Sequence, residues 1–132
     1  MSKVGYKALV EAAEARIRTI SAPEAIDKLD SDDVVFVDLR DVRELKREGG
    51  IRGAFHCPRG LLEFWIDPES PYHHKIFAEP KEFVFFCNLG WRSALAADIA
   101  QQMGLKTSHI DGGYTAWKAA GGATEQHERK HK

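Results

Sequence analysis

Apolar and polar positions alternate along the chain in short blocks, each with the spacing of a helix or of a buried strand. The first block, about residues 5 to 16, has apolar side chains three and four positions apart with charged ones between them, which predicts an amphipathic helix. Val34 to Val37 and Glu82 to Phe86 are rich in β-branched and aromatic residues, a pattern typical of strands buried on both faces. Shorter strands are predicted at Arg18 to Ile20, Ala54 to Cys57 and Thr107 to Ile110.

Between the strands the spacing becomes helical and is bounded by capping residues. Ser21, followed by Pro23, has the pattern of an N-cap, and Gly49-Gly50 ends a helix that begins at Asp41. Further helices are predicted at Gly60 to Ile66, Ser93 to Met103 and Tyr114 to Ala119. Because strand and helix alternate about five times, the sequence predicts an α/β fold, with a five-stranded, mostly parallel sheet and helices on both faces.

The pattern divides the chain into three parts. We expect residues 1–16 to form an N-terminal helical extension, residues 17–124 the α/β domain and residues 125–132 a polar tail. The length of 132 residues, with 43% hydrophobic and 30% charged residues, is that of one globular domain. The apolar runs are far shorter than the roughly 20 residues of a membrane span, and the first residues lack a signal-peptide pattern. We therefore expect a cytoplasmic protein that does not bind membranes.

Charge and cysteine content narrow the function classes. Nineteen Lys and Arg against twenty Asp and Glu give a net charge of −1, so there is no basic field to bind nucleic acid, and an anion must be held locally. Cys57 and Cys87 are too few for a disulfide scaffold. Cys57 alternates with Phe55 in a strand, and we interpret it as an apolar filler.

Cys87 follows the most apolar predicted strand and precedes a short loop that opens an alanine-rich helix. Backbone N–H groups and the positive end of that helix favour the thiolate, and Arg92 can offer forked donors to an anion. Arg59, which follows the predicted strand Ala54 to Cys57 at the same carboxyl edge of the sheet, is a further candidate for the same pocket. The sequence therefore predicts Cys87 as the nucleophile.

At these residues the chain resembles the rhodanese-like family of sulfurtransferases. Four segments carry the resemblance in the correct order: Val37-Asp38-Leu39-Arg40 with Glu44, Gly50 to Ala54, Cys87 to Ser93, and Gly112 to Trp117 with Gly121-Gly122. The resemblance implies that Cys87 takes sulfur from a small anionic donor such as thiosulfate, or from a protein persulfide, becomes a persulfide and passes the sulfur to a thiol or to cyanide. It implies no cofactor. Together with the position of Arg59, it implies that the substrate-binding residues are Asn88, Leu89, Gly90, Trp91, Arg92, Ser93 and Arg59.

The chain departs from the family pattern at three positions. Asn88 stands where the family often has a basic residue, which lowers the expected affinity for thiosulfate. Gly50 and Arg52 replace a histidine and a proline at positions that we interpret as structural. In the family fold one strand separates those of the two cysteines, too far for a disulfide.

Asp38 and Arg40 are expected to support the site structurally, as an ion pair that braces a loop, because an ionised cysteine needs no general base. We assign no metal. The segment from His127 to His131 matches the H-E-x-x-H pattern of zinc proteases, but it lies beyond the last glycines of the domain, among cations, and we interpret the match as accidental.

Three other functions remain open. Cysteine-dependent phosphatases use a similar loop, but four residues separate Cys87 from Arg92 here against five in those enzymes, and the shorter loop favours sulfur over phosphate. A non-catalytic rhodanese-like module is disfavoured because Cys87, Gly90 and Arg92 are all present. A redox sensor is the third alternative, since an ionised thiol oxidises readily.

Overall fold

A five-stranded parallel sheet forms the centre of the computed structural model, which describes residues 3–127. The strands lie in the order β1 (Arg18–Ile20), β6 (Lys106–Ile110), β5 (Glu82–Phe86), β2 (Val34–Asp38) and β4 (Phe55–His56). All four pairings between neighbours are parallel. The structure therefore confirms the predicted α/β class and the five-stranded sheet.

Helices cover both faces of this sheet because the side chains of each strand alternate between them. Phe83 and Phe85 of β5 pack in one cluster, whereas Val84 and Phe86 pack in another. The first face is covered by α4 (Leu62–Ile66) and α5 (Trp91–Gln102), and the second by α2 (Ala22–Lys28) and α6 (Gly113–Ala119). The predicted layer arrangement is thus confirmed.

The first helix, α1 (Tyr6–Arg16), packs on the outside of α5 rather than on the sheet. Val10 and Ala13 are buried in a cluster with Ala94 of α5. The guanidinium Nε of Arg16 donates to the Asp98 carboxylate at 2.9 Å and fixes the end of the helix. Within residues 3–127, no helix has the length and apolar character needed to cross a membrane.

Several elements differ from the predicted ones. Helix α5 begins at Trp91, two residues earlier than expected, and the predicted helix from Gly60 is a 3-10 turn, Arg59–Leu61, followed by α4. Helix α3 spans Val42–Glu48, with Asp41 as its cap. The sequence did not predict the 3-10 turn Lys75–Ala78 or a small antiparallel sheet of β3 (Gly50–Ile51) and β7 (Thr124–Glu125). These strands are only two residues long, which is too short for an alternating pattern.

The carboxyl ends of the parallel strands bring distant segments to one edge of the sheet. Cys87 follows β5, and the Leu39 N–H, just after β2, donates to the Phe86 carbonyl at 3.0 Å. The Cys57 N–H, just after β4, donates to the Asp38 carbonyl at 2.9 Å. Ligands of parallel α/β sheets bind at this edge.

Candidate active site

Cys87 lies beneath a short loop at the carboxyl end of β5, with only 1% of its surface exposed. Its Sγ accepts a hydrogen bond of 3.2 Å from the Gly90 amide, and the Ser93 hydroxyl lies 3.7 Å away. Gly90 has a φ of +108°, a left-handed conformation that glycine adopts without strain, and α5 begins at the next residue. A sulfur at this position is surrounded by donors that stabilise negative charge.

The first amides of α5 extend this group of donors. The first hydrogen bond of the helix joins the Ala94 amide to the Gly90 carbonyl, so the N–H groups of residues 91–93 precede it. They lie at the positive end of the helix dipole. The loop can therefore hold an anionic atom beyond the Cys87 sulfur with backbone donors alone.

Helix α6 holds the loop from the other side. The amides of Tyr114 and Thr115 donate to the carbonyls of Cys87 and Asn88 at 2.7 and 3.2 Å. A Cβ at Gly113 would lie 2.4 Å from the Cys87 carbonyl oxygen, so the close approach requires glycine there. Gly113, the first residue of α6, therefore fixes the backbone that carries Cys87.

Arg92 forms a two-pronged ion pair with Glu44, at 2.9 and 3.0 Å. The side-chain amide of Asn88 also donates to Glu44, at 3.0 Å. The other carboxylate oxygen of Glu44 accepts from the backbone N–H of Asp41 in the capping box of α3. The hydrogen bond from Arg92 holds the pKa of Glu44 below its ordinary value, and the same bond raises the pKa of Arg92. Arg92 is 42% exposed, so its guanidinium also faces solvent at the site.

Asp38 and Arg40 form a buried ion pair behind the loop. The guanidinium of Arg40 donates to both carboxylate oxygens of Asp38, at 3.0 and 2.8 Å, and to the Gly49 carbonyl at 2.7 Å. It also lies 4.4 Å from the centre of the Tyr114 ring and 3.5 Å from the Asn88 side chain. A buried guanidinium needs such partners, and here they link β2, α3, α6 and the loop.

The structure places Arg59 beside a different partner. Its guanidinium donates to Glu63 at 3.0 and 3.3 Å, in an ion pair along the chain. The described contacts include no hydrogen bond from the Arg59 side chain to residues 87–93. The role of Arg59 in the pocket therefore stays a prediction.

Cys57 differs from Cys87 in its surroundings. It is buried, and burial raises the pKa of its thiol to about 12, so it stays protonated at neutral pH. Both cysteines are free, and β2 lies between the strands that precede them. Burial therefore keeps the Cys57 thiol in its protonated form, which is not the nucleophilic one.

Leu89 and Trp91 form an apolar rim on the loop. Their side chains are 55% and 52% exposed. The Trp91 ring packs on Tyr6 of α1, with 5.1 Å between ring centres. Beside it lies a cavity of about 160 Å³ that Val10 and the stems of Lys7 and Glu11 also line. The loop therefore has apolar side chains on its outer surface, whereas a backbone N–H group on its inner side faces the Cys87 sulfur.

Sequence reasoning missed His109, a buried residue on β6. The alternation of β6 directs its ring to the α5 face of the sheet, where Nδ1 lies 3.0 Å from the Ser93 hydroxyl. On the other side, Nε2 lies 3.1 Å from the Thr19 hydroxyl and 3.5 Å from the Glu14 carboxylate. Burial lowers the pKa of His109 to about 4, so the ring is neutral at neutral pH. The only sequence signal is a histidine inside an otherwise buried strand.

Among residues 3–127, no group of three or more His, Cys, Asp and Glu side chains has an arrangement that could hold a metal ion. The H-E-x-x-H match extends into residues 128–132, outside the described part of the chain. The absence of a metal therefore stays a prediction.

The family of the chain follows from comparison with known proteins. The Rhodanese-like domain family matches residues 21–120, and the chain belongs to it, as its motifs predicted. The chain is 29% identical over 106 residues to the human thiosulfate:glutathione sulfurtransferase, covering 75% of this chain and 91% of that protein. Its relatives thus include sulfurtransferases.

Two solved structures have a similar fold. The polysulfide-sulfur transferase of Wolinella succinogenes, a 30 kDa homodimer, is 30% identical, with a TM-score of 0.68 over 96% of this chain and 91% of that one. RPA3614 of Rhodopseudomonas palustris, a protein of unknown function described as a possible tyrosine phosphatase, is 52% identical, with a TM-score of 0.91 over 95% and 97%. The fold is therefore that of the rhodanese-like family.

Proposed function

We propose that this protein is a sulfurtransferase that carries sulfane sulfur on Cys87 as a persulfide. The observation that supports this most directly is the position of Cys87 Sγ, which is buried under a loop and accepts a hydrogen bond from the Gly90 amide at the start of α5. The family and its sulfurtransferase members support the same reaction class.

The proposed reaction has two displacement steps. The Cys87 thiolate attacks the outer sulfur of the donor, a new S–S bond forms, and the old S–S bond breaks with its electron pair on the leaving group, sulfite or a thiolate. An acceptor thiolate or cyanide then attacks the outer sulfur of the persulfide and releases the Cys87 thiolate. In this proposal the N–H groups of residues 91–93, which precede the first hydrogen bond of α5, bind the outer sulfur while it is charged.

The charge around Arg92 favours a donor with a single negative charge. Glu44 offsets the guanidinium through two hydrogen bonds and also engages the Asn88 amide. Thiosulfate carries two negative charges, whereas a persulfide of a small thiol or of a protein carries one on its sulfur. We therefore rank persulfides above thiosulfate as donors.

Mass spectrometry of the intact protein tests the proposal. After incubation with thiosulfate or with glutathione persulfide, we expect a gain of one sulfur on Cys87, which cyanide removes as thiocyanate. Cys87→Ser should abolish both the adduct and turnover, and Cys57→Ser, the matched control, should retain them. Sulfur transfer at the wild-type rate in Cys87→Ser would exclude the proposal.

A phosphatase is the second candidate, and the similarity to RPA3614 is the observation in its favour. The loop has only four residues between Cys87 and Arg92, and Glu44 already occupies the guanidinium that would bind a phosphate dianion. Hydrolysis of an aryl phosphate above background, lost in Cys87→Ser, would place the phosphatase first.

A further inference from the structure

A continuous chain of polar side chains connects the buried Cys87 sulfur to the protein surface. Sγ lies 3.7 Å from the Ser93 hydroxyl, which lies 3.0 Å from Nδ1 of His109. Nε2 of the same ring lies 3.1 Å from the Thr19 hydroxyl and 3.5 Å from the Glu14 carboxylate. Ser93 and His109 are fully buried, whereas Thr19 and Glu14 are exposed.

The direction of the hydrogen bonds follows from the partner at the surface end. A carboxylate only accepts, so Glu14 favours the neutral ring with its proton on Nε2. Nδ1 is then an acceptor, and the Ser93 hydroxyl donates to it. The Ser93 oxygen in turn accepts the thiol proton of Cys87. In this state every side-chain donor of the chain, from the Cys87 thiol to Nε2, points towards the surface, and only the Gly90 amide donates to the sulfur.

We propose that Ser93 and His109 form a proton relay between Cys87 and solvent, in which His109 changes from one neutral tautomer to the other when Cys87 ionises. The relay deepens the proposed function and rests on it, because it supplies the thiolate that the sulfur transfer uses. In that reaction His109 is a positioning residue, since it acts on Cys87 through Ser93.

The proton steps balance along the chain. The S–H bond breaks and leaves its electron pair on sulfur, the proton binds the Ser93 oxygen, and the former Ser93 proton binds Nδ1. Nε2 gives its proton to the exposed Glu14 carboxylate, 3.5 Å away, which releases it to water. The reversed chain then donates towards the sulfur: Nδ1–H to Ser93, and Ser93 O–H to the thiolate. Thr19 is placed to donate its hydroxyl to the bare Nε2.

Burial makes such a relay necessary. Water has little access to a sulfur with 1% exposure, so the thiol proton needs an internal path. The titratable groups around the His109 ring are Glu14 on α1, Asp111 after β6 and, through Ser93, Cys87 itself. Because burial disfavours the imidazolium, the ring is neutral before and after the transfer.

Nitrogen-15 NMR of the histidine rings tests the relay without any sulfur substrate. In the 132-residue chain, labelled at its six histidines, the His109 signals are assigned by their loss in His109→Gln. We expect His109 to change from the Nε2–H to the Nδ1–H tautomer as the pH rises. The midpoint should coincide with that of Cys87 alkylation by iodoacetamide.

Two variants separate the relay from a structural role. Cys87→Ser, whose hydroxyl does not ionise in this range, should keep the Nε2–H tautomer throughout. Ser93→Ala should also abolish the tautomer change, and its alkylation midpoint should rise by roughly one pH unit, because the thiolate loses a hydroxyl donor. Circular dichroism checks that both variants are folded.

A His109 tautomer that is the same on both sides of the alkylation midpoint would overturn the proposal, and so would a change that persists in Cys87→Ser. The relay and the proposed function fail separately. A tautomer change without persulfide formation would refute only sulfur transfer, whereas persulfide formation without the change would refute only the relay.

Discussion

Glu44 is the residue that connects the anion site to the rest of the molecule. One carboxylate caps α3 at Asp41 and at the same time binds the side chains of Arg92 and Asn88, two of the residues proposed to bind the donor. The guanidinium is therefore held in place with its charge largely offset. The ion pair with Glu44 therefore fixes the position of the Arg92 side chain and lowers its expected affinity for anions.

Glu44→Gln tests that balance. An amide oxygen can still accept from Asp41 and keep the capping box, but the negative charge is gone. We expect KM for thiosulfate to fall roughly three- to tenfold, which corresponds to about 0.7–1.4 kcal/mol of binding free energy. The KM for a persulfide, which has one negative charge on its sulfur, should change less. Steady-state kinetics with both donors measures the difference.

Glu82→Gln is the matched control, because it removes a paired carboxylate at the opposite end of β5, where Glu82 binds Lys28 at 3.1 Å. It should leave KM for both donors unchanged. If Glu44→Gln also left the thiosulfate KM unchanged, the charge of Glu44 would have no part in donor choice.

The buried His109 makes stability depend on pH. Its pKa falls from 6.5 to about 4 on folding, so the unfolded chain binds a proton more readily than the folded one between these values. This contribution to stability is complete above pH 6.5 and is lost as the pH falls towards 4. Between pH 7.5 and pH 5 the loss is about 2 kcal/mol.

Urea unfolding at the two pH values measures this loss. His109→Gln lowers stability at pH 7.5 but lacks the titrating ring, so its free energy of unfolding should fall by about 2 kcal/mol less than that of the wild type on going to pH 5. Equal losses in the two proteins would contradict the assignment of the low pKa to His109.

At the residue scale, local features could be predicted and distant pairings could not. Cys87 and its loop are contiguous, so their chemistry is visible in the sequence. The ion pair of Glu44 with Arg92 joins residues 48 positions apart, and Ser93 meets His109 across 16. Such contacts depend on strand order and side-chain alternation, which residue types alone do not specify.

At the element scale, the N-terminus of α6 determines how the active-site loop sits. Gly113 has a φ of +59°, and a Cβ there would lie 2.4 Å from the Cys87 carbonyl. Gly121 also has a positive φ, +85°, but a Cβ there would meet nothing within 4 Å. A side chain at Gly121 would therefore introduce backbone strain alone, whereas a side chain at Gly113 would introduce both backbone strain and a steric clash.

Gly113→Ala and its matched control Gly121→Ala exploit this difference. The control should cost about 1 kcal/mol from the left-handed conformation alone. Gly113→Ala adds a clash that displaces the loop, and we expect it to cost at least ~3 kcal/mol and to slow Cys87 alkylation more than tenfold. Equal stability of the two variants would show that α6 does not constrain the loop.

Element length decides which elements the sequence could predict. The strand patterns at β2 and β5 have enough buried apolar residues to be recognised, and the bounds of both strands were predicted within one residue. Strands β3 and β7 have two residues each and pair only because the folded domain brings Ile51 next to Thr124. The early start of α5 follows from Gly90, whose conformation is not visible in residue types.

At the scale of the whole molecule, a net charge of −1 provides no overall positive field, so the proposed anion binding depends on groups at one edge of the sheet. The positive ends of α5 and α6, together with Arg40 and Arg92, meet at that edge. Helix α1 reaches the same region through Tyr6 and Glu14, although the family match begins only at residue 21. The molecule thus extends the domain with a helix that contacts both the rim and the His109 ring.

Whether α1 unfolds with the domain can be tested by substitutions on its two faces. Ala13 is fully buried against Ala94, whereas Ala12 is exposed on the same helix. Ala13→Asp places a carboxylate in an apolar contact and should cost about 2–4 kcal/mol. Ala12→Asp should cost less than about 1 kcal/mol, mainly through helix propensity.

Urea unfolding followed by tryptophan fluorescence and by circular dichroism measures both variants. If α1 belongs to the cooperative unit, the two signals coincide in the wild type, because the fluorescence combines Trp91, which contacts Tyr6, with the core residues Trp65 and Trp117, and the dichroism reports the whole fold. Ala13→Asp should then shift both midpoints to lower urea together. Equal midpoints in Ala13→Asp and Ala12→Asp would instead show that α1 is an independent extension, and its docking would then contribute nothing to the stability of the domain.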